Sequence, residues 1–183
     1  MMRKAITAGI VTIATFLAVS PAHAEESPTA GKGSVGALLG YGFKDGLNLG
    51  FGVRGGYTLP ANIYLGGTFV YHLGKTESTP FGDSSVNIYY FGFEGGYDFA
   101  AGPVVIRPYL GLGAATARVK SPGIDLGGIS MPSTTATDTK FAAWPGATLL
   151  YPMGSAFIGG DARFLVVSEF NAFSLFATGG LQF

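Results

Sequence analysis

Apolar and polar residues alternate with a period of two along most of the chain after residue 24. Successive side chains of a β-strand point to opposite faces, so this period predicts strands with one apolar and one polar face. The second run is the clearest, and its other face is small and polar with a single arginine, Arg54. Its apolar face comprises Leu47, Leu49, Phe51, Val53, Gly55 and Tyr57.

Eight such runs can be marked, each about as long as a tilted membrane strand requires. The clear runs cover residues 47–58, 63–73, 89–99, 106–115, 156–166 and 173–183. Two fainter runs cover residues 34–43 and about 140–151, and the pattern leaves the face of Trp144 open. No run shows the period near 3.6 that predicts a helix.

The breaks between the runs fall into two alternating sets, one of short turns and one that includes the two long connections. Residues 58–62, 99–103 and 151–155 form short turns, each with a proline. Outer-membrane barrels have short periplasmic turns and longer external loops. The other breaks are therefore predicted to face outward, and they are residues 44–46, Lys75 to Ser85, Lys120 to Thr139, and residues 168–172. Loops on a rigid scaffold commonly bind ligands, so Lys75 to Ser85 and Lys120 to Thr139 are the candidate binding segments. The alternative for the second segment is a mobile loop with no partner.

The apolar faces are predicted to contact lipid. In water they would form a patch larger than soluble proteins tolerate, whereas a soluble lipocalin-like barrel has its apolar face inside. Closure is also required, because an open sheet edge in hydrocarbon leaves backbone groups unpaired. Aromatic residues cluster at both ends of the apolar faces, as they do at membrane interfaces but not in the core of a β-sandwich. These are Tyr57, Tyr97, Phe99, Tyr151 and Phe183 at the periplasmic ends, and Tyr41, Phe43, Tyr71, Tyr89 and Phe173 at the external ends. The predicted fold is an all-β, eight-stranded antiparallel up-and-down transmembrane barrel.

Residues 1–24 have the features of a cleaved signal peptide. Arg3 and Lys4 precede an uncharged apolar stretch, which ends in the small-x-small triplet Ala22-His23-Ala24. The alternative, a transmembrane anchor, fits less well because the stretch is interrupted by Pro21 and has no stop-transfer pattern. Residues 25–183 then form one domain, the barrel.

Composition excludes several function classes. The chain has no cysteine, so disulfides do not stabilise the fold, and removal of the two basic residues of the signal peptide leaves a net charge of −2. Without a basic patch, nucleic acid is not a plausible partner. Nothing in the sequence indicates a metal or a cofactor. The 30 glycines are roughly twice the ordinary share, and they lie inside the alternating runs.

The last strand carries the most specific pattern, alternating apolar residues that close on a terminal aromatic: Leu175, Ala177, Gly179, Leu181 and Phe183. With the segments at residues 107–111 and 160–164, it resembles the small eight-stranded outer-membrane barrels, namely the OmpA-type transmembrane domain and the OmpX- and opacity-protein-like families. The resemblance implies a location in the outer membrane of a Gram-negative bacterium. It also implies that the barrel-assembly machinery reads the last strand. Outer-membrane lipid and lipopolysaccharide are the implied surroundings, with an external ligand or host surface as a further partner.

Charged residues fall on the inward faces. They are Arg54, Glu94, Arg107, Asp161 and Arg163, with Asp98 near the periplasmic end. Unpaired buried charges are costly, so these groups are predicted to pair as an ion-pair plug in a lumen that eight strands leave too narrow for a channel. The alternative is a proton path or a narrow, gated pore for small solutes.

His72 is the only histidine after the signal peptide, and Asp83, Ser84 and Ser85 follow in the next external segment. Some eight-stranded barrels modify lipid A with histidine, serine and an acid near the outer rim, but the histidine–serine motif expected of a lipid A deacylase is missing. We therefore expect a non-catalytic protein with a structural or adhesion-like role through its external loops. A lipid A-modifying enzyme that uses His72 is the alternative.

Overall fold

The computed structural model describes residues 26–44, 47–79, 82–125, 130–168 and 170–183. Eight long antiparallel strands form a sheet that closes on itself through the pairing of the fourth strand with the fifth. The strands are β1 (Lys32–Gly42), β2 (Asn48–Thr58), β3 (Ile63–His72), β4 (Gly82–Tyr97), β5 (Val104–Ser121), β6 (Thr134–Met153), β7 (Ala156–Val167) and β8 (Phe170–Gln182). The predicted eight-stranded antiparallel barrel is confirmed. The predicted signal peptide lies outside the described residues, as do Asp45 and Gly46 of the first external turn.

The two faces of the strands are separated as the alternation predicts. Phe93 and Phe141 on the outer wall are 83% and 70% exposed, whereas Tyr64 and Trp144 in the lumen are fully buried. Trp144, whose face the sequence left open, therefore points inward. The outer apolar wall is thus the face predicted from the sequence to contact lipid.

Leu47 is an exception to the predicted faces. The sequence pattern places it on the outer wall with Leu49, but it is fully buried and packs inside the barrel with Ile88 and Ala172. Asn48, at the start of β2, has a positive φ of 48°. This left-handed residue breaks the strict alternation and turns the preceding side chain inward.

The three short turns contain proline, but another residue in each makes the sharp reversal. Asn62, Gly102 and Gly154 have φ angles of 62°, 62° and 67°. Asparagine and glycine adopt this conformation at little cost, which lets adjacent strands reverse over few residues.

The sheet continues beyond the predicted strand ends on the external side. β5 and β6 remain paired as far as Ser121 and Thr134, and β4 pairs with a short strand, Thr76–Thr79. The segments predicted as external loops at residues 75–85 and 120–139 are therefore largely β-hairpins, and the loop assignment was wrong there. The pattern failed in the longer hairpin because residues 118–121 and 132–139 are exposed on both faces of the ladder, so hydrophobicity does not alternate there. β-branched threonine nevertheless favours the extended backbone.

Two further short strands, Ile124–Asp125 and Ser130–Met131, pair with each other in the longer hairpin. A third, Phe99–Ala101, follows β4 and pairs with the start of β5. The described ranges contain no helix with the length and hydrophobicity that a membrane crossing demands.

Candidate functional site

Four charged side chains from three strands meet in the middle of the lumen. Arg54 of β2 lies 2.7 Å from Glu94 of β4 and 2.9 Å from Asp161 of β7. The Nε of Arg163, two residues along β7, donates to Oδ1 of Asp161 at 2.7 Å, and its Nη1 lies 3.8 Å from Glu94. Two arginines and two carboxylates balance one another, so the network is neutral. All four side chains are almost completely buried. We refer to them as the central network.

Neutral donors complete the central network. The indole Nε1 of Trp144 donates to Glu94 at 2.9 Å, and the hydroxyls of Thr148 and Tyr109 donate to Asp161 at 2.7 and 3.0 Å. Arg54 in turn donates to Thr148 at 2.8 Å. Tyr109 is two residues from Arg107 on β5, so the alternation puts both side chains on the inward face. The inward position of a polar side chain beside charged neighbours was the only signal that could have found these residues.

Glycines make room for the large lumen aromatics. A methyl group at Gly111 would collide with the indole of Trp144, and one at Gly146 would collide with the phenol ring of Tyr109. The thin wall at these two positions lets both rings lie flat across the lumen and reach the carboxylates.

Arg107 belongs to a separate network near the periplasmic end. Its guanidinium makes a bidentate pair with Asp98, at 2.6 and 2.7 Å, and lies 3.8 Å from the ring centroid of Tyr64. Thr58 and Thr29 donate to the same carboxylate at 3.2 and 2.5 Å. The sequence grouped Arg107 with the central residues, but the structure joins it to Asp98 across the β4–β5 turn. Thr29 shows that the segment before β1 folds into this end of the lumen.

A small cavity lies in the lumen near the periplasmic end. Its volume is about 20 Å³, and it lies between the two networks and the wall, with Arg54, Thr58 and Arg107 among its lining residues. This is about the room that one water molecule needs. Nearer the external end, the Nε2 of His72 has no hydrogen-bond partner among the described residues.

His72 lies inside the barrel rather than on the rim. Its ring is fully buried, contacts the rings of Tyr90 and Phe176, and lies 3.4 Å from the Asn48 carbonyl oxygen. In the ladder it lies opposite Ile88, three residues from Ser85, which is about 10 Å along the strand. The structure therefore does not bring His72 together with Asp83, Ser84 or Ser85, the set that the enzyme alternative requires.

With the barrel and its lumen described, comparison with known proteins places the chain in a family. The family described as outer membrane protein beta-barrel domain matches residues 10–156. The chain belongs to this outer-membrane β-barrel family. Its location is accordingly the outer membrane of a Gram-negative bacterium, as the sequence predicted. A search of curated proteins finds no match.

Solved structures with the same fold include several barrels of similar size. The Ail attachment invasion locus protein of Yersinia pestis is 18% identical, with a TM-score of 0.54 over 84% of this chain and 99% of Ail. The N-terminal barrel of Pseudomonas aeruginosa OprF is 16% identical, with a TM-score of 0.55 over 87% of this chain and 100% of that domain. A major outer membrane protein of Thermus thermophilus is 12% identical, with a TM-score of 0.63 over 83% and 99% of the two chains. At these identities the likeness establishes the fold alone.

Membership of the family fixes the orientation of the barrel, because family barrels have short periplasmic turns. The aromatic residues of the outer wall then form two girdles. At the external end the ring of Phe43 contacts those of Tyr41 and Phe173, and Tyr71 stacks on Tyr89 with 6.3 Å between ring centroids. At the periplasmic end Tyr97 packs against Phe99. Rings at both levels match the two interfaces of a bilayer.

The terminal pattern of the family lies on the outer wall of β8. Leu175, Leu181 and Phe183 are 44%, 57% and 79% exposed, and Ala177 and Gly179 lie between them on the same face. The backbone of Phe183 pairs with Gly33 at 2.7 and 2.9 Å, which ties the end of the chain to β1. Recognition of these residues by the assembly machinery stays a prediction.

Proposed function

We propose that this barrel is a non-catalytic surface-interaction protein, adhesion-like in role, which binds an external partner through its projecting hairpins. The observation that carries the proposal is the length of the β5–β6 ladder. Its strands stay paired for seven residues beyond Ala114 and Phe141, from the level of the outer apolar wall to Ser121 and Thr134. That is roughly 23 Å along the strands, so the end of the hairpin projects beyond the external aromatic girdle, which lies at the level of Thr116.

The composition of the projecting ladder suits a binding surface. Residues 132–139 are exposed, and four of them are threonines, at positions 134, 135, 137 and 139. Paired backbone keeps such a surface ordered before a partner arrives, so binding loses less conformational entropy than it would with a mobile loop. Ail, a barrel of the same fold, is named for attachment, and one of its structures contains the heparin analogue sucrose octasulfate. The identity between the chains is too low for residues to be carried over.

The geometry of the lumen favours this function over the two alternatives. A pore needs a continuous path, whereas the lumen cavity between the two networks has room for about one water molecule. An enzyme needs its histidine within reach of lipid, whereas His72 is enclosed by rings on the inner side of the wall. We propose that the central network and the Asp98–Arg107 pair act together as the plug of this lumen.

Shortening one hairpin at a time tests the proposal. In the first variant an Asn-Gly turn replaces residues 120–135 and joins Val119 to Ala136, which lie opposite each other in the ladder. In the matched variant the same turn replaces residues 77–84 and joins the paired Thr76 and Ser85. Each protein is expressed in a non-adherent Gram-negative host, and attachment to epithelial monolayers and to heparin-coated plates is counted.

We expect the first variant to lose most attachment to at least one of these surfaces, because it removes the longer ladder. Both variants should still reach the outer membrane as folded barrels. Wild-type attachment by both variants would contradict the proposal. The enzyme alternative is tested separately by His72→Ala, for which we expect an unchanged lipid A mass spectrum. A changed spectrum would establish catalysis and overturn the non-catalytic assignment.

A further inference from the structure

A cleft opens on the outer wall, directly above the external aromatic girdle. Its volume is about 300 Å³, at the lower end of the range for small-molecule sites, about 300–1,000 Å³. Its lining is Tyr71, Ser85, Asn87, Tyr89, Arg118 and Lys120. We call it the girdle cleft. It faces sideways into the membrane interface, so it is distinct from both the lumen and the hairpin tips.

The pairing of the strands places the parts of the cleft in layers. Tyr89 lies opposite Thr116, Asn87 opposite Arg118 and Ser85 opposite Lys120. Two residues of a strand span about 7 Å, so each of these pairs lies about 7 Å farther along the wall than the one before. Below the cleft the same face of β4 is apolar, with Phe91 and Phe93 exposed to lipid. The wall thus changes from hydrocarbon-facing to aromatic to cationic within a few residues.

The two cations of the girdle cleft have no acidic partner in the part of the chain that the structure describes. The ion pairs within the described ranges do not involve Arg118 or Lys120. Both side chains are exposed, and their positions two apart on one strand put them on the same face. Like charges at this spacing repel, and an anion between them relieves the repulsion. The acidic Asp138 of the neighbouring strand pairs with Lys140 instead, and both point to the opposite face of the sheet.

The lining of the girdle cleft offers aromatic and hydrogen-bonding groups to a sugar ring beside the anion. Tyr71 and Tyr89 stack on each other, with an interplanar angle of 10° and 6.3 Å between ring centroids, and both rings line the cleft. Ser85 and Asn87 add hydrogen-bonding groups opposite the two cations. Arginine binds phosphate oxygens with bidentate geometry, and lysine binds them as a point charge.

From this arrangement we propose that the girdle cleft binds the phosphorylated saccharide head group of an outer-leaflet lipid, with Arg118 and Lys120 on the phosphate. The head group packs against the rings of Tyr71 and Tyr89, and its acyl chains continue down the wall past Phe69 and Phe91, which are 40% and 49% exposed. A soluble ligand would gain nothing from this lipid-facing wall. Basic pockets at the membrane surface bind anionic head groups by the same chemistry. The proposal does not depend on the adhesive function proposed above.

The test uses the full barrel in detergent and bisphosphorylated lipid A as the probe, with retention measured by native mass spectrometry across a lipid titration. The variant Arg118→Gln/Lys120→Gln removes the two cleft cations. The matched control, Lys44→Gln/Lys140→Gln, removes two positive charges at the same end of the barrel, outside the cleft. Heat-dependent gel mobility checks that each protein is folded.

We expect the cleft variant to bind lipid A roughly 30-fold more weakly, from the loss of two cations near a phosphate-bearing surface. The control should stay within about twofold of wild type, and Arg118→Lys with Lys120 intact should retain most of the affinity. Fully dephosphorylated lipid A should bind wild type as weakly as bisphosphorylated lipid A binds the cleft variant.

Equal losses in the cleft and control variants would overturn the proposal, since net charge alone would then explain binding. Retention that is independent of the lipid phosphates would also overturn it. A parallel experiment uses sucrose octasulfate as the ligand. If its binding requires Arg118 and Lys120 but the binding of lipid A does not, the cleft is a site for a soluble sulfated saccharide instead.

Discussion

At the scale of single residues, the lumen is a set of charges that satisfy one another. Glu94 contacts two arginines and the indole of Trp144, and its side chain is completely enclosed. A buried ion pair is weak evidence for high stability, because desolvation offsets much of the attraction. The removal of one partner is a different matter, because the remaining charge is left buried and unpaired.

We therefore predict that Glu94→Gln destabilises the folded barrel by about 3 kcal/mol. The amide keeps the shape and can still accept from Trp144, so the loss isolates the missing charge. The measurement is the free energy of unfolding in guanidinium chloride, with the barrel in detergent micelles.

Asp138→Asn supplies the control, since this carboxylate is 68% exposed and lies 3.4 Å from Lys140. Exposed pairs contribute less than about 1 kcal/mol. If both substitutions lower the free energy of unfolding by the same small amount, the idea that the buried charges depend on one another is wrong.

At the scale of elements, the strands end much farther from the membrane than hydrophobicity indicates. The fifth run was predicted to end at Ala115 and the sixth to begin near Lys140, yet β5 reaches Ser121 and β6 starts at Thr134. The apolar wall stops where lipid stops, while the backbone hydrogen bonds continue. Hydrophobic alternation reports burial in lipid, so it cannot locate the end of a ladder that stands in water.

This extension predicts slow hydrogen exchange in a segment whose composition indicates a loop. Backbone amides of residues 134–139 that donate to β5 should exchange at least about 100-fold more slowly than unstructured peptide, because closed ladder bonds must open first. NMR-detected exchange in micelles measures this directly. Exchange at unstructured rates throughout residues 134–139 would contradict the ladder. The central amides of β6, near Thr148, serve as the protected reference.

At the scale of the whole molecule, closure of the sheet and filling of the lumen are coupled. Eight strands enclose a space that side chains can fill, and here two neutral charge networks and several aromatic rings fill it. The apolar surface of the protein is outside, where lipid takes the place of a core. This inversion explains how a chain without cysteine folds stably with charges at its centre.

A filled lumen predicts that the purified barrel forms no stable conductance steps in planar bilayers. Wild-type openings whose size changes in Arg54→Ala or Glu94→Ala, but not in Val53→Ala on the outer wall, would show that ions pass the central network. Val53 is adjacent to Arg54 in sequence and 56% exposed, so its substitution leaves the lumen lining intact.

The sequence by itself determined the strands, their faces, the two girdles and the order of short and long connections. Each of these follows from local alternation, which needs no knowledge of the partner strand, and the family match confirms the location they imply. Even so, one left-handed residue, Asn48, was enough to reverse the predicted face of Leu47.

Only the tertiary structure decided which charges meet. Arg107 pairs with Asp98 rather than with Glu94, Trp144 turns inward above Gly111, and Arg118 comes to lie opposite Asn87. These contacts depend on the register between strands and on the closure of the barrel. Alternation within one strand fixes the direction of a side chain but not its height in the lumen or on the wall. Height is what separates the two charge networks and creates the girdle cleft.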